Sequence, residues 1–172
     1  MSVLFVVAFI LVIIFGFVVF FGAPYVPSHK KYVKRAFDHF GLNADDTLVD
    51  IGSGDGIILR IASRYGARAV GYEINPVLVF ISRFLSAADA RVKVYLQNAW
   101  TATLPEETTI VYAFAVNRDE KKLTSLLQRE ADRLQKPLKL ICYASPFRRL
   151  KATETFEAYH LYVFRPLQSK KA

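Results

Sequence analysis

The sequence predicts an α/β fold: a mostly parallel, twisted sheet with helices on both faces, preceded by one N-terminal apolar helix. Three observations carry this. The octapeptide Val49-Asp50-Ile51-Gly52-Ser53-Gly54-Asp55-Gly56 closes a short apolar run with an acid, then places glycine at every second position. The next apolar run, Ala69-Val70-Gly71-Tyr72, also ends in an acid, Glu73. A strand, a glycine turn, a helix and an acid-tipped strand make half a nucleotide-binding α/β unit. Helical and strand patterns then alternate toward the C-terminus, which implies parallel strands joined by crossover helices.

The elements follow in order. Val3 to Phe21 is a run of 19 residues with no charged or strongly polar side chain. As a helix it can span a bilayer core of roughly 30 Å. A cleaved signal peptide is the competing reading, but Met1-Ser2 carries no side-chain charge, and Pro24 directly after Gly22-Ala23 makes a poor cleavage site. Pro24-Tyr25-Val26-Pro27 is a stiff linker, since each proline fixes its own φ and restricts the residue before it. Ser28 is placed to cap a helix to about Phe40, with Tyr32, Val33, Ala36, Phe37 and Phe40 on one face and Gly41 as its stop. Strands are expected at Thr47–Ile51, Arg68–Glu73, Val92–Gln97, Thr109–Phe114 and Leu138–Tyr143. Helices are expected from about Gly56 to Tyr65, from the Asn75-Pro76 cap to about Ala87, and from Asp119 to Gln135. The last turns Leu123, Leu126, Leu127, Ala131 and Leu134 inward. One or two more strands fill Thr155–Arg165, where alternation is only partial. The chain then divides into an anchor (1–23), a linker and N-terminal helix (24–46), a ligand-binding domain (47–167) and a basic tail (168–172).

Charge sets the expected orientation. Lys30, Lys31, Lys34 and Arg35 follow the apolar run and nothing basic precedes it. The positive-inside rule then gives a single-pass membrane protein with its domain on the cytoplasmic side, or the inner-compartment side of an organelle. The net charge of +8 fits a domain held near anionic lipid. No nucleic-acid partner is expected, because the basic residues are spread out. His29, His39 and His160 are scattered, so neither a metal site nor a catalytic triad is expected. Cys142 stands alone in an apolar run and reads as a small core residue.

The spacing of the glycines names the ligand class. A dinucleotide fingerprint needs glycine at 57, which is Ile. The pattern D-x-G-x-G-x-G instead resembles the first motif of S-adenosylmethionine (SAM) dependent methyltransferases of the Rossmann-like class. Glycines there let the backbone approach the methionine part of SAM, and an acid on the next strand can take both ribose hydroxyls. A narrower resemblance rests on P-Y-V-P-S at 24–28, V-D-I-G-S-G-D-G at 49–56 and A-V-G-Y-E-I-N-P-V-L-V at 69–79. Together with the apolar start, these resemble the small membrane-anchored, mitochondrial-type protein-lysine N-methyltransferases and their prokaryotic relatives. Known members modify inner-membrane proteins such as the ATP synthase c subunit and the adenine nucleotide carrier. The resemblance covers roughly Pro24 to Ser86. It implies SAM as cofactor, with Asp50, Gly52, Gly54 and Gly56 lining its methionine side and Ser53 and Asp55 in the same turn. Glu73 would hold the ribose, with Asn75 beside it.

After the third strand this family has Asp-Leu-Trp where this chain has Asn98-Ala99-Trp100. Asn98 can accept a hydrogen bond from the adenine amino group, but without charge. Trp100 packs either on the cofactor or in the core. Ala113-Phe114-Ala115-Val116-Asn117 lacks the family's glycine and proline on the substrate side. Tyr112, Phe114, Tyr143 and Phe147, with Tyr25 from the linker, are candidates for an aromatic substrate channel. No side chain is singled out as a general base. The expected activity is SAM-dependent methylation of a lysine on a membrane-associated protein. The alternatives are a small-molecule or lipid methyltransferase and a non-catalytic module with the same fold.

Overall fold

A computed structural model describes residues 3–7, 9, 29–115 and 119–167 of the chain. The expected anchor falls mostly outside these residues; of it, residues 3–7 and 9 are helical and exposed. Among the described residues no helix is long and apolar enough to cross a membrane. The linker with Tyr25, the pair Val116-Asn117 and the basic tail also lie outside the described residues.

The remaining elements run α1 (Lys30–Phe40), β1 (Thr47–Ile51), α2 (Ile57–Arg64), β2 (Arg68–Glu73), α3 (Pro76–Leu85), β3 (Val92–Leu96), β4 (Ile110–Ala115), α4 (Glu120–Leu134), β5 (Leu138–Ala144), β6 (Glu154–Phe156) and β7 (Tyr159–Phe164). The strands form one sheet in the order β3-β2-β1-β4-β5-β7-β6. The first five are parallel; β7 runs antiparallel to both β5 and β6. The partly alternating stretch near the C-terminus is therefore a hairpin, and its turn places Glu157 at φ 53°.

Strand alternation sends side chains to two cores. On one face Leu48, Ile110, Tyr112, Ile141 and Tyr159 meet α1, α2 and α3 through Val33, Phe37, Leu59, Ala62 and Val79. On the other, Val49, Val111, Leu140 and Tyr162 meet α4 through Leu123, Leu126, Leu127 and Ala131. Leu134 is half-buried against that second core.

Helix ends follow their expected punctuation, with two corrections. Gly41 stops α1 in the left-handed region at φ 73°. The N-cap of α1 is His29, which makes no side-chain capping bond, while Ser28 lies outside the described residues. Tyr32, expected on the inward face, is 46% exposed; Val33, Ala36 and Phe37 are buried, and Phe40 packs half-buried against the same core. Helix α3 stops at Leu85 rather than near Ala87, with Ser86 as its C-cap.

Candidate functional site

The site forms where β1 ends beside β2 at the C-terminal edge of the parallel strands, as expected for an open α/β sheet. Past Ile51 the N–H groups of Gly52 and Ser53 both donate to the Tyr72 carbonyl, at 2.9 and 3.1 Å. The turn thus stays bonded to β2 while β1 itself has ended. Gly56 is the left-handed N-cap of α2 at φ 79°. A Cβ there would collide with Ser82 Oγ of α3, so glycine lets the two helices approach. Gly52, at φ 76°, has no atom within 4 Å of where its Cβ would stand; the mouth of the turn is open.

Glu73 closes the other side. Its Oε2 accepts from Gly54 N at 2.9 Å, and its Oε1 accepts from Ile74 N and Asn75 N, each at 2.8 Å. This buried carboxylate ties the glycine turn to the start of α3. Asn75 Oδ1 accepts from Val77 N at 3.0 Å and Leu78 N at 3.4 Å, and Pro76 occupies the first helical position. Asn75 is therefore an N-cap first, and its location beside Glu73 follows from that role. Ile74, between them in sequence, is an exposed apolar residue that sequence reasoning did not single out.

Asp50 lies below the turn, paired across the sheet with Gly71 and Tyr112. It is 3% exposed. Burial pushes its carboxyl well above the usual carboxylate range, and the negative charges of Glu73 and Asp55 push it further. Asp55 Oδ1 accepts from Ile57 N at 3.1 Å. Arg60 binds Asp55 twice, through the backbone carbonyl at 2.5 Å and the carboxylate at 3.4 Å. Arg60 is thus engaged by Asp55 at the rim. Ser53 points its hydroxyl toward Gly71 and is buried, without a hydrogen-bond partner among the described residues.

The other candidates separate. Gln97 N donates to Glu73 O at 2.9 Å, which sets Asn98 next to the acid. Asn98 is exposed, and its Oδ1 accepts from Trp100 N at 3.0 Å in a local turn. Trp100 is half-buried against the α4 core, with Lys122 Nζ 5.9 Å from its ring centroid. Phe114 and Tyr143 face each other at the ends of β4 and β5, both half-buried, with ring centroids 5.7 Å apart. Tyr143 also lies 4.8 Å from Tyr159. Tyr112 sits deeper, 2% exposed and edge-on to Phe37. Phe147 is on the opposite core, stacked on Tyr162 at 4.4 Å. Of the expected channel residues that are described, Phe114 and Tyr143 are the half-buried ones at the sheet edge. Tyr112 and Phe147 are core side chains.

One more anchor at this edge had no visible signal. Buried Glu120, at the start of α4, accepts from Arg148 N at 3.0 Å and Arg149 N at 2.8 Å. Those two hydrogen bonds hold its carboxyl below the usual range. They pin the loop after β5, and because the donors are backbone groups, residue types could not reveal them.

The residue set fits SAM. A buried acid with a raised pKa, two further carboxylates and an open glycine turn favour a ligand carrying positive charge beside hydroxyl donors. Such a ligand would relieve the repulsion that the protein's own cations leave in place. Comparison with known proteins agrees: the family model described as ribosomal RNA adenine dimethylase matches residues 17–145. The chain belongs to this methyltransferase family, whose cofactor is SAM. The chain is also 33% identical over 127 residues to the lysine N-methyltransferase of the ATP synthase c subunit in Homo sapiens, covering 72% of this chain and 52% of that protein. The Xenopus laevis protein of the same description is 31% identical, covering 86% of this chain and 68% of its own length. The chain thus spans about half the length of the human relative. Among solved structures, an RNA methyltransferase from Salinibacter ruber in complex with S-adenosyl-L-homocysteine aligns with a TM-score of 0.72 at 25% identity. That alignment covers 86% of this chain and 98% of the other.

Proposed function

We propose that this chain is a protein-lysine methyltransferase held at a membrane by residues 1–23, with its domain on the cytoplasmic or inner-compartment side. The observation that carries the reading is the half-buried pair Phe114 and Tyr143 at the same sheet edge as Asp50 and Glu73. SAM, when bound, supplies a methyl group activated by its sulfonium. The glycine turn and Glu73 would hold it, with Asp50 beneath, and Ile74 and Asn98 would flank it. An incoming lysine must reach the reacting atom with its Nζ neutral. A water-excluding approach past this aromatic pair would favour the neutral amine by penalising the ammonium. Exclusion of water and fixed orientation are then the chain's main contributions to rate.

The relatives' names support lysine, and the 19-residue apolar run with the short stiff linker supports a target in the same membrane. A target confined with the enzyme gains from high effective concentration. Isotope-labelled SAM incubated with membranes of the source organism, followed by mass spectrometry of the labelled band, tests this reading. Methyl-lysine on an integral membrane protein is expected. A second reading, methylation of an RNA base, has its own support: the family model's description and the exposed Arg148 and Arg149 at this edge. Label found in RNA, or in a lipid or soluble metabolite, in place of lysine would replace the proposal.

A further inference from the structure

Helix α3 is turned inside out for a soluble domain. Val79 and Ser82 face the sheet, while Phe80 is 71% exposed and Phe84 73%. Val77, Ile81 and Leu85 add exposures of 41%, 37% and 51%, and Leu96 on edge strand β3 adds 54%. Small residues face inward because α3 must lie close against Gly56. Positions 77, 80, 81 and 84 form one stripe along the helix. An exposed apolar stripe of this kind marks a contact surface.

Charge and chain length say what covers it. From Ile74 to Ala88 there is no acidic residue, and Arg83 is the single charge. The exposed Arg91 and Lys93 lie on the adjoining edge. A second copy docked about a two-fold axis would bring these like charges together, whereas an anionic lipid surface attracts them. Only residues 22–28 separate the apolar run from His29, a reach of about 25 Å at full extension. We propose that the outward face of α3 lies in the headgroup layer of an anionic bilayer, with Phe80 and Phe84 inserted at the acyl boundary. This rests on the membrane-held reading above and adds to it an orientation. Because Asn75 starts α3 at the edge of the site, the site then opens near the bilayer surface.

The full chain is reconstituted in vesicles of phosphatidylcholine and phosphatidylserine, with or without brominated acyl chains. Phe84→Trp places an indole on the stripe, and Ser125→Trp places one on the exposed side of α4 as a control. The parent protein supplies the Trp100 background. The indole at 84 is expected to emit to the blue and be strongly quenched by brominated lipid, with neither change at 125. Emission typical of water at 84, or a blue shift without quenching, overturns the proposal; the second result means that protein covers the face. The double variant Phe80→Ser, Phe84→Ser should bind SAM as the parent does. It should lose transfer to targets in vesicles and keep transfer to the same targets in detergent. Quenching without any lysine transfer would leave the docked face standing and remove the substrate reading. Transfer without quenching would do the reverse.

Discussion

Replacing Glu73 with Ala tests the site most sharply, because the structure gives this carboxylate one duty and the proposed SAM site adds a second. It accepts from three N–H groups, those of Gly54, Ile74 and Asn75. Ile74 is exposed and water can replace that bond, but Gly54 and Asn75 are buried. Leaving each buried donor unsatisfied costs about 1–3 kcal/mol. Loss of a charge next to Asp50 gives some of this back, since Glu73 is one of the charges raising that carboxyl. A net loss of about 2–4 kcal/mol follows, at the lower part of the summed range. For a chain of this size, each kcal/mol lowers Tm by roughly 2–4 °C, so a fall of about 5–15 °C is expected. The second duty adds a separate loss of SAM affinity of about 1.5–3 kcal/mol, the scale of hydrogen bonds to a charged group. The assay pairs thermal unfolding without ligand with calorimetric titration of SAM well below Tm. An unchanged Tm would refute the clamp, and an unchanged affinity would remove Glu73 from the ligand site. Glu73→Gln, which keeps one acceptor oxygen, should fall between the two proteins in both measurements.

Three other perturbations probe neighbouring parts. Gly56→Val should lower stability by about 2 kcal/mol or more in thermal unfolding, since it combines an unfavourable φ with a collision at Ser82. Asp50 has a raised pKa, so its contribution to stability is fully present below the unfolded value of 3.8 and is lost as pH rises through the folded pKa. A cationic ligand lowers that folded pKa again. Within this window SAM binding should release a proton, seen as a titration enthalpy that varies with buffer ionisation heat, and Asp50→Asn should abolish the effect. Glu120, whose carboxyl is lowered, stabilises the fold above its unfolded pKa of 4.5 and loses this as pH falls through the folded value. Glu120→Gln should free the loop after β5 and speed limited tryptic cleavage at Arg148 and Arg149 at neutral pH.

The core of the fold was legible because its punctuation is chemical. β1 and β2 end where expected because glycine or an acid closes each apolar run, and Asn75-Pro76 supplies both the acceptor and the fixed φ that start α3. The hairpin of β6 and β7 was less legible, since β7 is buried along nearly its whole length and cannot alternate cleanly. Depth along a strand was not legible at all. Tyr112 and Phe114 share one face of β4, and alternation treats them alike. Two residues nearer the strand start, Tyr112 lies beneath Phe37 of α1 and becomes core, while Phe114 remains at the rim. Phe147 failed for a related reason: it follows β5, yet the loop turns it toward the α4 face, where its N–H reaches Tyr162 Oη at 2.8 Å.

The site shows the same division between chemistry and reach. That Glu73 would stand near the glycine turn follows from the two acid-tipped strands. That its oxygens would be shared among the turn, Ile74 and Asn75 depends on how Gly54 folds back across 19 residues, which composition does not encode. The consequence concerns cofactor exchange. An acid already holding three N–H groups is fixed before any ligand arrives, so the ribose would meet a preorganised acceptor rather than a searching side chain. Asn98 is fixed more loosely, by one bond within its own turn. Its carboxamide can rotate at the price of that bond alone, about 1 kcal/mol. Asn98→Asp would restore a charge at the exposed edge of a site that already holds three carboxylates. It should therefore raise the repulsion on Asp50, and any gain in SAM affinity should exceed the gain for the demethylated product, because the two ligands share their ammonium and carboxylate and differ in charge only at the sulfonium. Equal gains for the two ligands, measured by the same titration, would place Asn98 outside the field of the sulfonium and confine it to the adenine side.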